Sequence, residues 1–366
     1  MKKHELIFGS VVFLALVALV VWGRDKIHFD FGVFFSQLKL ADWRKIGIAF
    51  ISIYICYAIR SVRWALLLRH IKKVPLFSLL GTQVIGFTAI ALIGRVADPV
   101  RPYLVSKKTG LPLSNQIAVY IVERLFDAGA MALIFSIAMI SVPTTDIMHA
   151  LHPHAAAQPG AHSLITSFMV RYGGLTMTLL GAAFLFLVKV SGNLVADFFE
   201  RAFGLFSSNL GHAVGNRIRT FRTGLDAISS LADLAAISLL SIAMWFLIAM
   251  AYFECCRAFD AAPGLANITF SKSVLLMIAS GGASIIQLPV IGWFSQIGIV
   301  AVALATVLGV SAEPATACAA TLLLVTFLGI APVGLVWARF EHVSLRKVAA
   351  ESGQAKEVLI ADEPAG

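Results

Sequence analysis

A chain of 366 residues that is 59% hydrophobic and 13% charged, with a mean hydropathy of +0.87, is not a soluble globular protein. Apolar runs of spanning length recur along it, so the composition implies a polytopic integral membrane protein. Its 29 Lys and Arg against 20 Asp and Glu sit mostly at the ends of apolar runs, where the positive-inside bias and anionic headgroups account for them. Nucleic-acid binding is not implied, since the chain has no zinc-finger spacing, RNA-binding aromatic motif or basic DNA-binding helix.

The chain begins MKKHE, followed by 17 apolar or small residues from Leu6 to Trp22. That run is about 26 Å of helix at ~1.5 Å per residue, and VVWGRDK after it offers no small-x-small cleavage site, so it is expected to be a retained anchor. Residues 24 to 45 mix charges with Phe29, Phe31, Phe34 and Phe35, which suits a loop ending in a short interfacial helix. A second span runs from Ile46 to Leu68. Arg60, Arg63 and Trp64 share one of its faces near the end, and Arg69, Lys72 and Lys73 follow. Those residues suit anchoring by snorkelling arginines and equally permit headgroup contact; their charge places that end, and the N-terminus, in the cytoplasm.

Residues 74 to 96 form a third apolar run, punctuated by Gly81, Gly86 and Gly94 and carrying Gln83. The stretch after it, GRVADPVRPYLVSKKTGLPLSNQIAVYIVERLFD from Gly94 to Asp127, holds Arg95, Asp98, Arg101, Glu123, Arg124 and Asp127. Pro99, Pro102 and Pro112 break any continuous helix through it. If residues 98 to 114 are cytoplasmic, residues 74 to 96 enter and return on one side; a single crossing is the alternative, and both stay open. Glu123 and Asp127 lie four apart on a helix from Ser114 to Ile140 with Arg124 beside them, either an ion-pair network locking helices together or the lining of a polar passage.

Residues 142 to 168 lack Lys and Arg and read as an outside loop; their histidines lack an apolar surround and are not expected to bind metal. Further spans are expected at Thr176 to Val190, Ala227 to Ala251, Phe270 to Leu288, Ile297 to Val310 and Ala317 to Ala338. Residues 193 to 226 suit an amphipathic surface helix. QLPVIGWFSQIG, with Gln287, Pro289, Gly292 and Gln296, forms a second broken element. Cys56 and Cys318 read as small buried hydrophobes, and adjacent Cys255 and Cys256 make no CxxC pair. The expected fold is all-α, with about 6–8 transmembrane helices, one or two broken or re-entrant elements and amphipathic surface helices. Two awkward segments at comparable places in the two halves point to a site in a transporter built from broken helices.

Arg60-x-x-Arg63-Trp64, Gly94-Arg95-x-x-Asp98-x-x-Arg101 and Val122-Glu123-Arg124-x-Phe126-Asp127 together resemble the membrane domain of lysylphosphatidylglycerol synthases and the wider group of standalone flippase-like proteins. The resemblance covers residues 5 to 340 and implies movement of a polar-headed, acidic or glycosylated lipid between leaflets. It implies a polar cavity drawn from Arg60, Arg63, Arg95, Asp98, Arg101, Glu123, Arg124, Asp127, Gln287 and Gln296. Many relatives have Glu at Asp98, and the family's PGGxG signature with its acidic residue is replaced here by Pro289-Val290-Ile291-Gly292 and neutral Gln296. Residues 1 to 340 read as the membrane domain and residues 341 to 366 as a cytoplasmic tail, too short for the family's soluble synthase half. No cofactor is implied. The partners expected are membrane lipids of the inner or plasma membrane; the alternative is a noncatalytic scaffold for a lipid-modifying or glycosyltransferase enzyme.

Overall fold

The computed structural model describes residues 29–141, 164–204, 230–283 and 291–344, with short stretches between 207 and 218 and the single residues 348 and 351. Every regular element among them is helical. Asp30 caps the short α1 (Phe31–Leu40) by accepting from the Gly32 and Val33 amides, at 2.7 and 3.2 Å. Asp42 caps α2 (Trp43–Leu68) in the same way through the Arg44 amide.

Polar contacts at both ends of α2 pin it antiparallel to α7 (Leu231–Arg257). At one end Lys45 Nζ donates to the Arg257 carbonyl at 2.9 Å and pairs with Asp260. At the other, Arg69 and His70 meet Asp233 at 3.2 and 3.0 Å. This second end also collects Lys72, Lys73, Lys107 and Lys108, and is called the basic end below.

The run of residues 74 to 96 does not turn back within itself: it supplies only the first arm of a hairpin, and the return arm lies in residues 100–109, where the sequence suggests a cytoplasmic connection. The first arm, α3 (Leu80–Ile93), has 14 residues, about 21 Å at ~1.5 Å each, short of the ~30 Å hydrocarbon core. A 3-10 turn, Arg95–Ala97, then leads into α4 (Val100–Thr109), which ends on left-handed Gly110 at φ 70°. Lys72 Nζ donates to the Thr109 carbonyl at 2.6 Å, so the hairpin finishes level with the end of α2 where it began. Thus α3 and α4 enter from the basic end and return to it. There Lys108 pairs with Glu341, and Tyr103 and Glu351 hold the Lys107 ammonium above its ordinary range by hydrogen bonding.

The next helix, α5 (Leu113–Ser141), packs against α6 (Leu164–Gly204), where Ser136 and Thr178 hydroxyls lie 3.4 Å apart. Ser191 breaks α6 into two arms bent by 105°, which accounts for the separate span and surface helix read in its sequence. A second pair, α8 (Phe270–Ala283) and α9 (Ile291–Leu308), is tied by Gln296 Nε2 donating to Ser280 Oγ at 3.0 Å. Its return arm ends against Gly264, whose added Cβ would sit 2.6 Å from the Leu308 carbonyl oxygen, at the end opposite the basic one. The chain closes with α10 (Ala312–Leu323), a π-helical turn (Leu324–Leu328) and α11 (Ile330–Phe340).

The expected 6–8 transmembrane helices are therefore not what forms. Among the described residues three stretches are long and apolar enough to cross, Trp43–Leu68, Leu231–Arg257 and Ala312–Phe340, or four if the bent α6 pair is one span. The physical reasons are specific. The α3, α8 and α9 segments are short arms of paired elements, and α5, though 29 residues long, carries Glu123, Arg124 and Asp127 in its middle. The first apolar run, Leu6 to Trp22, and the histidine loop from 142 to 163 lie outside the described residues.

Candidate polar cavity

Three helices, α2, α4 and α5, converge on one carboxylate. Glu123, on the inner face of α5, is fully buried. Its Oε1 accepts from Arg63 Nη2 at 2.6 Å, and Arg101 Nη2 reaches both of its oxygens, at 3.1 and 2.9 Å. One helical turn on, Asp127 accepts from Arg63 Nη1 at 2.5 Å and meets Arg124 Nη2 at 2.8 Å. Arg60 stands farther off, 3.7 Å from Glu123 and 3.6 Å from Asp127. The i, i+3 spacing of Arg60 and Arg63 puts both guanidiniums against the i, i+4 carboxylates of α5.

Each contact has a local cause. Arg101 can reach across because its stem packs on Gly86 of α3, where a Cβ would overlap Arg101 Cγ. Gln83, one turn earlier, accepts from Arg101 Nε and Nη2 at 3.0 and 2.6 Å. Ser241 of α7 takes a further Arg63 proton at 2.7 Å, and Trp64 Nε1 donates to Gln116 of α5 at 3.0 Å. Phe87 lies beneath two cations, with Arg101 Cζ 4.4 Å and Arg60 Cζ 4.8 Å from its ring centre. Such contacts strengthen when desolvated.

The cluster carries four guanidiniums against two carboxylates, an excess of two positive charges, with Arg60, Arg63 and Arg101 buried and Arg124 partly exposed. Arg63 donates inward from Nη1 and Nη2, its Nε having no partner among the described residues, and Arg101 donates inward from Nε and Nη2. Arg60 Nη1 and Arg124 Nε have no hydrogen-bond partner among the described residues, and Arg60 and Arg124 face a cavity of about 250 Å³. Asp98, in the turn of the first hairpin, lines it as well. The opposite wall is neutral and polar, made by Trp245 and Tyr252 of α7, Ser280 of α8 and Gln296 of α9, while Ile53, Phe87, Ile90 and Phe327 supply apolar sides.

The π turn shapes one wall. Gly329 N bonds the Leu324 carbonyl at 2.6 Å, and the wider turn presents Thr326 and Phe327 to the cavity. Tyr54 Oη donates to the Gly329 carbonyl at 2.9 Å and holds the turn from α2. Bulges of this kind are frequent at functional sites.

Of the residues read from sequence, Arg60, Arg63, Arg101, Glu123, Arg124 and Asp127 meet in one network, and Asp98 and Gln296 line the same cavity. Arg101 and Glu123 form the structure behind the wall rather than its surface. Arg95 falls in the 3-10 turn, and Gln287 lies outside the described residues. Gln116, Ser241, Trp245 and Tyr252 were not foreseen, and Gln83, noted in its apolar run, was not assigned to the site. Trp245 had a signal, since tryptophan is expected at the ends of membrane helices and this one sits in the middle of Leu231–Arg257. Among the described residues no group of three or more His, Cys, Asp or Glu could hold a metal ion.

No curated protein and no solved structure matches this chain. A family model does: the one described as the lysylphosphatidylglycerol synthase TM region matches residues 6–334, nearly the full length, and the chain belongs to that family.

Proposed function

We propose that this flippase-like membrane protein moves a polar-headed lipid between leaflets, its acidic group meeting Arg60 and Arg124 in the cavity between the two paired elements. The observation that carries the reading is the excess positive charge of a buried cluster, directed at a space with apolar sides. Arg63 and Arg101 neutralise Glu123 and Asp127 from behind, which leaves Arg60 Nη1 and Arg124 Nε to meet a phosphate. The basic end faces the cytoplasm, by the positive-inside bias. Residues 1 to 340 are the transport domain, set in an inner or plasma membrane, residues 341 to 366 are a cytoplasmic tail, and both termini face the cytoplasm.

The test is reconstitution. In liposomes, the purified protein is expected to expose fluorescent phosphatidylglycerol to an impermeant quencher faster than phosphatidylcholine. Arg124→Gln should slow phosphatidylglycerol at least tenfold. The Arg124 side chain is 39% exposed, so this variant should still elute as a single species. A parent protein that moves no lipid would transfer the weight to a scaffold for a lipid-modifying enzyme.

Orientation is tested separately by cysteine labelling, with low background because all four native cysteines are buried. Lys108→Cys should label from the cytoplasmic side and Ala261→Cys from the other. Labelling of both from one side removes the assigned order of elements.

A further inference from the structure

We propose that the cavity has a second subsite, at Trp245 and Gln296, which binds a hydroxyl-bearing substituent on the phosphate, so that the preferred headgroup is a polyol phosphodiester rather than a bare phosphate. This rests on the lipid-transport reading for its setting and on separate atoms for its content. Trp245 Nε1 is a buried donor and Gln296 Oε1 a buried acceptor, and neither has a partner among the described residues. Gln296 is only 6% exposed. Leaving such groups unpaired is costly, because each gives up its hydrogen bonds to water without replacing them.

The surrounding contacts fix where the Gln296 oxygen points, and Trp245 lines the same cavity. Tyr252 Oη and Gln296 Nε2 both donate to Ser280 Oγ, at 2.8 and 3.0 Å. Gln296 therefore has its amide nitrogen committed to α8 and its oxygen left over, and all four side chains line the cavity. The subsite thus offers one donor and one acceptor, the complement of a hydroxyl, which both donates and accepts. It carries no charge of its own, whereas Arg60 and Arg124 supply charge across the same space. A ligand that satisfies both walls carries an anionic phosphate and, attached to it, a neutral group with hydroxyls. A site built to hydrogen-bond a hydroxyl discriminates strongly against the analogue that lacks it, because its own buried groups stay unpaired.

The experiment compares binding of dioctanoyl phosphatidylinositol and dioctanoyl phosphatidic acid to the purified full chain by calorimetry, beside transport of the long-chain forms in liposomes. Phosphatidylinositol should bind and move at least tenfold better. Trp245→Phe keeps the ring and removes the donor, and should bring the ratio of the two lipids close to one. Water-soluble glycerophosphoinositol should bind at least tenfold more weakly than dioctanoyl phosphatidylinositol, because it leaves the apolar sides at Ile53, Phe87 and Phe327 uncovered; equal binding would overturn the lipid as source. Equal binding of the two lipids by the parent, or a ratio unchanged in Trp245→Phe, overturns the subsite even if lipids move. Discrimination in binding without any transport supports the subsite and removes the flippase reading, so the two failures are told apart.

Discussion

Glu123→Gln is expected to lower the stability of the folded protein by about 3–5 kcal/mol, the cost of breaking a buried ion pair and leaving its partner unpaired. The amide keeps the shape and one acceptor oxygen but removes the charge that Arg63 and Arg101 share. Thermal unfolding in detergent, followed by size exclusion, should show an earlier transition and a smaller monodisperse fraction. A second substitution separates charge from packing. Arg101→Met alone should destabilise, since it strips Glu123 of one partner, yet in the Glu123→Gln background it should cost less or restore stability, because it removes a cation that no longer has a counter-charge. Additive losses in the double variant would mean that the two side chains are not electrostatically coupled.

A large effect without any change of charge is expected from Gly86→Ala. In a helix interior alanine is favoured over glycine by about 1 kcal/mol, so by propensity alone the substitution stabilises α3. Here the sign should reverse, because the new Cβ falls on Arg101 Cγ, and overpacking of this kind costs about 1–3 kcal/mol. Displaced Arg101 would lose Gln83 and loosen its hold on Glu123, so transport should fall with stability. Gly47→Ala is the control, since its Cβ would meet nothing within 4 Å. If both variants are as stable as the parent, close approach at Gly86 is not what positions Arg101.

The charged cluster was legible because membrane helices rarely carry charges without partners. Arg60 with Arg63, and Glu123 with Asp127, have spacings that place each pair on one face, so their meeting needed no long-range information. The number of crossings was less legible. Hydropathy registers the run from 74 to 96 as spanning length, but the stretch from Gly94 to Pro99 turns the chain back, and a window average cannot distinguish half a crossing followed by a return from one full crossing. The neutral wall was hidden for another reason. Tyr252 and Ser280 are ordinary residues of apolar helices, Trp245 is unusual only in its mid-helix place, and only the packing of α7 against the α8–α9 pair turns their polar atoms toward a common space. Gln83 was visible as an amide in an apolar run, but its partner Arg101 depends on the fold of the hairpin.

The order of the shared ion pairs along the chain has a consequence for biogenesis. Arg63 is made 60 residues before Glu123 and 64 before Asp127, a wait of roughly 3 to 12 seconds at ~5–20 residues per second of synthesis. Throughout that interval α2 carries two cations with no counter-charge at membrane depth. They lie within about two and a half turns of its finishing end, close enough for their heads to stay at the headgroup level if the helix sits displaced toward that side. When α5 arrives with its two carboxylates, α2 can settle to its final depth. Insertion is thus expected to take two steps, the nascent α2 sitting shallow until α5 brings the counter-charges that let it sink.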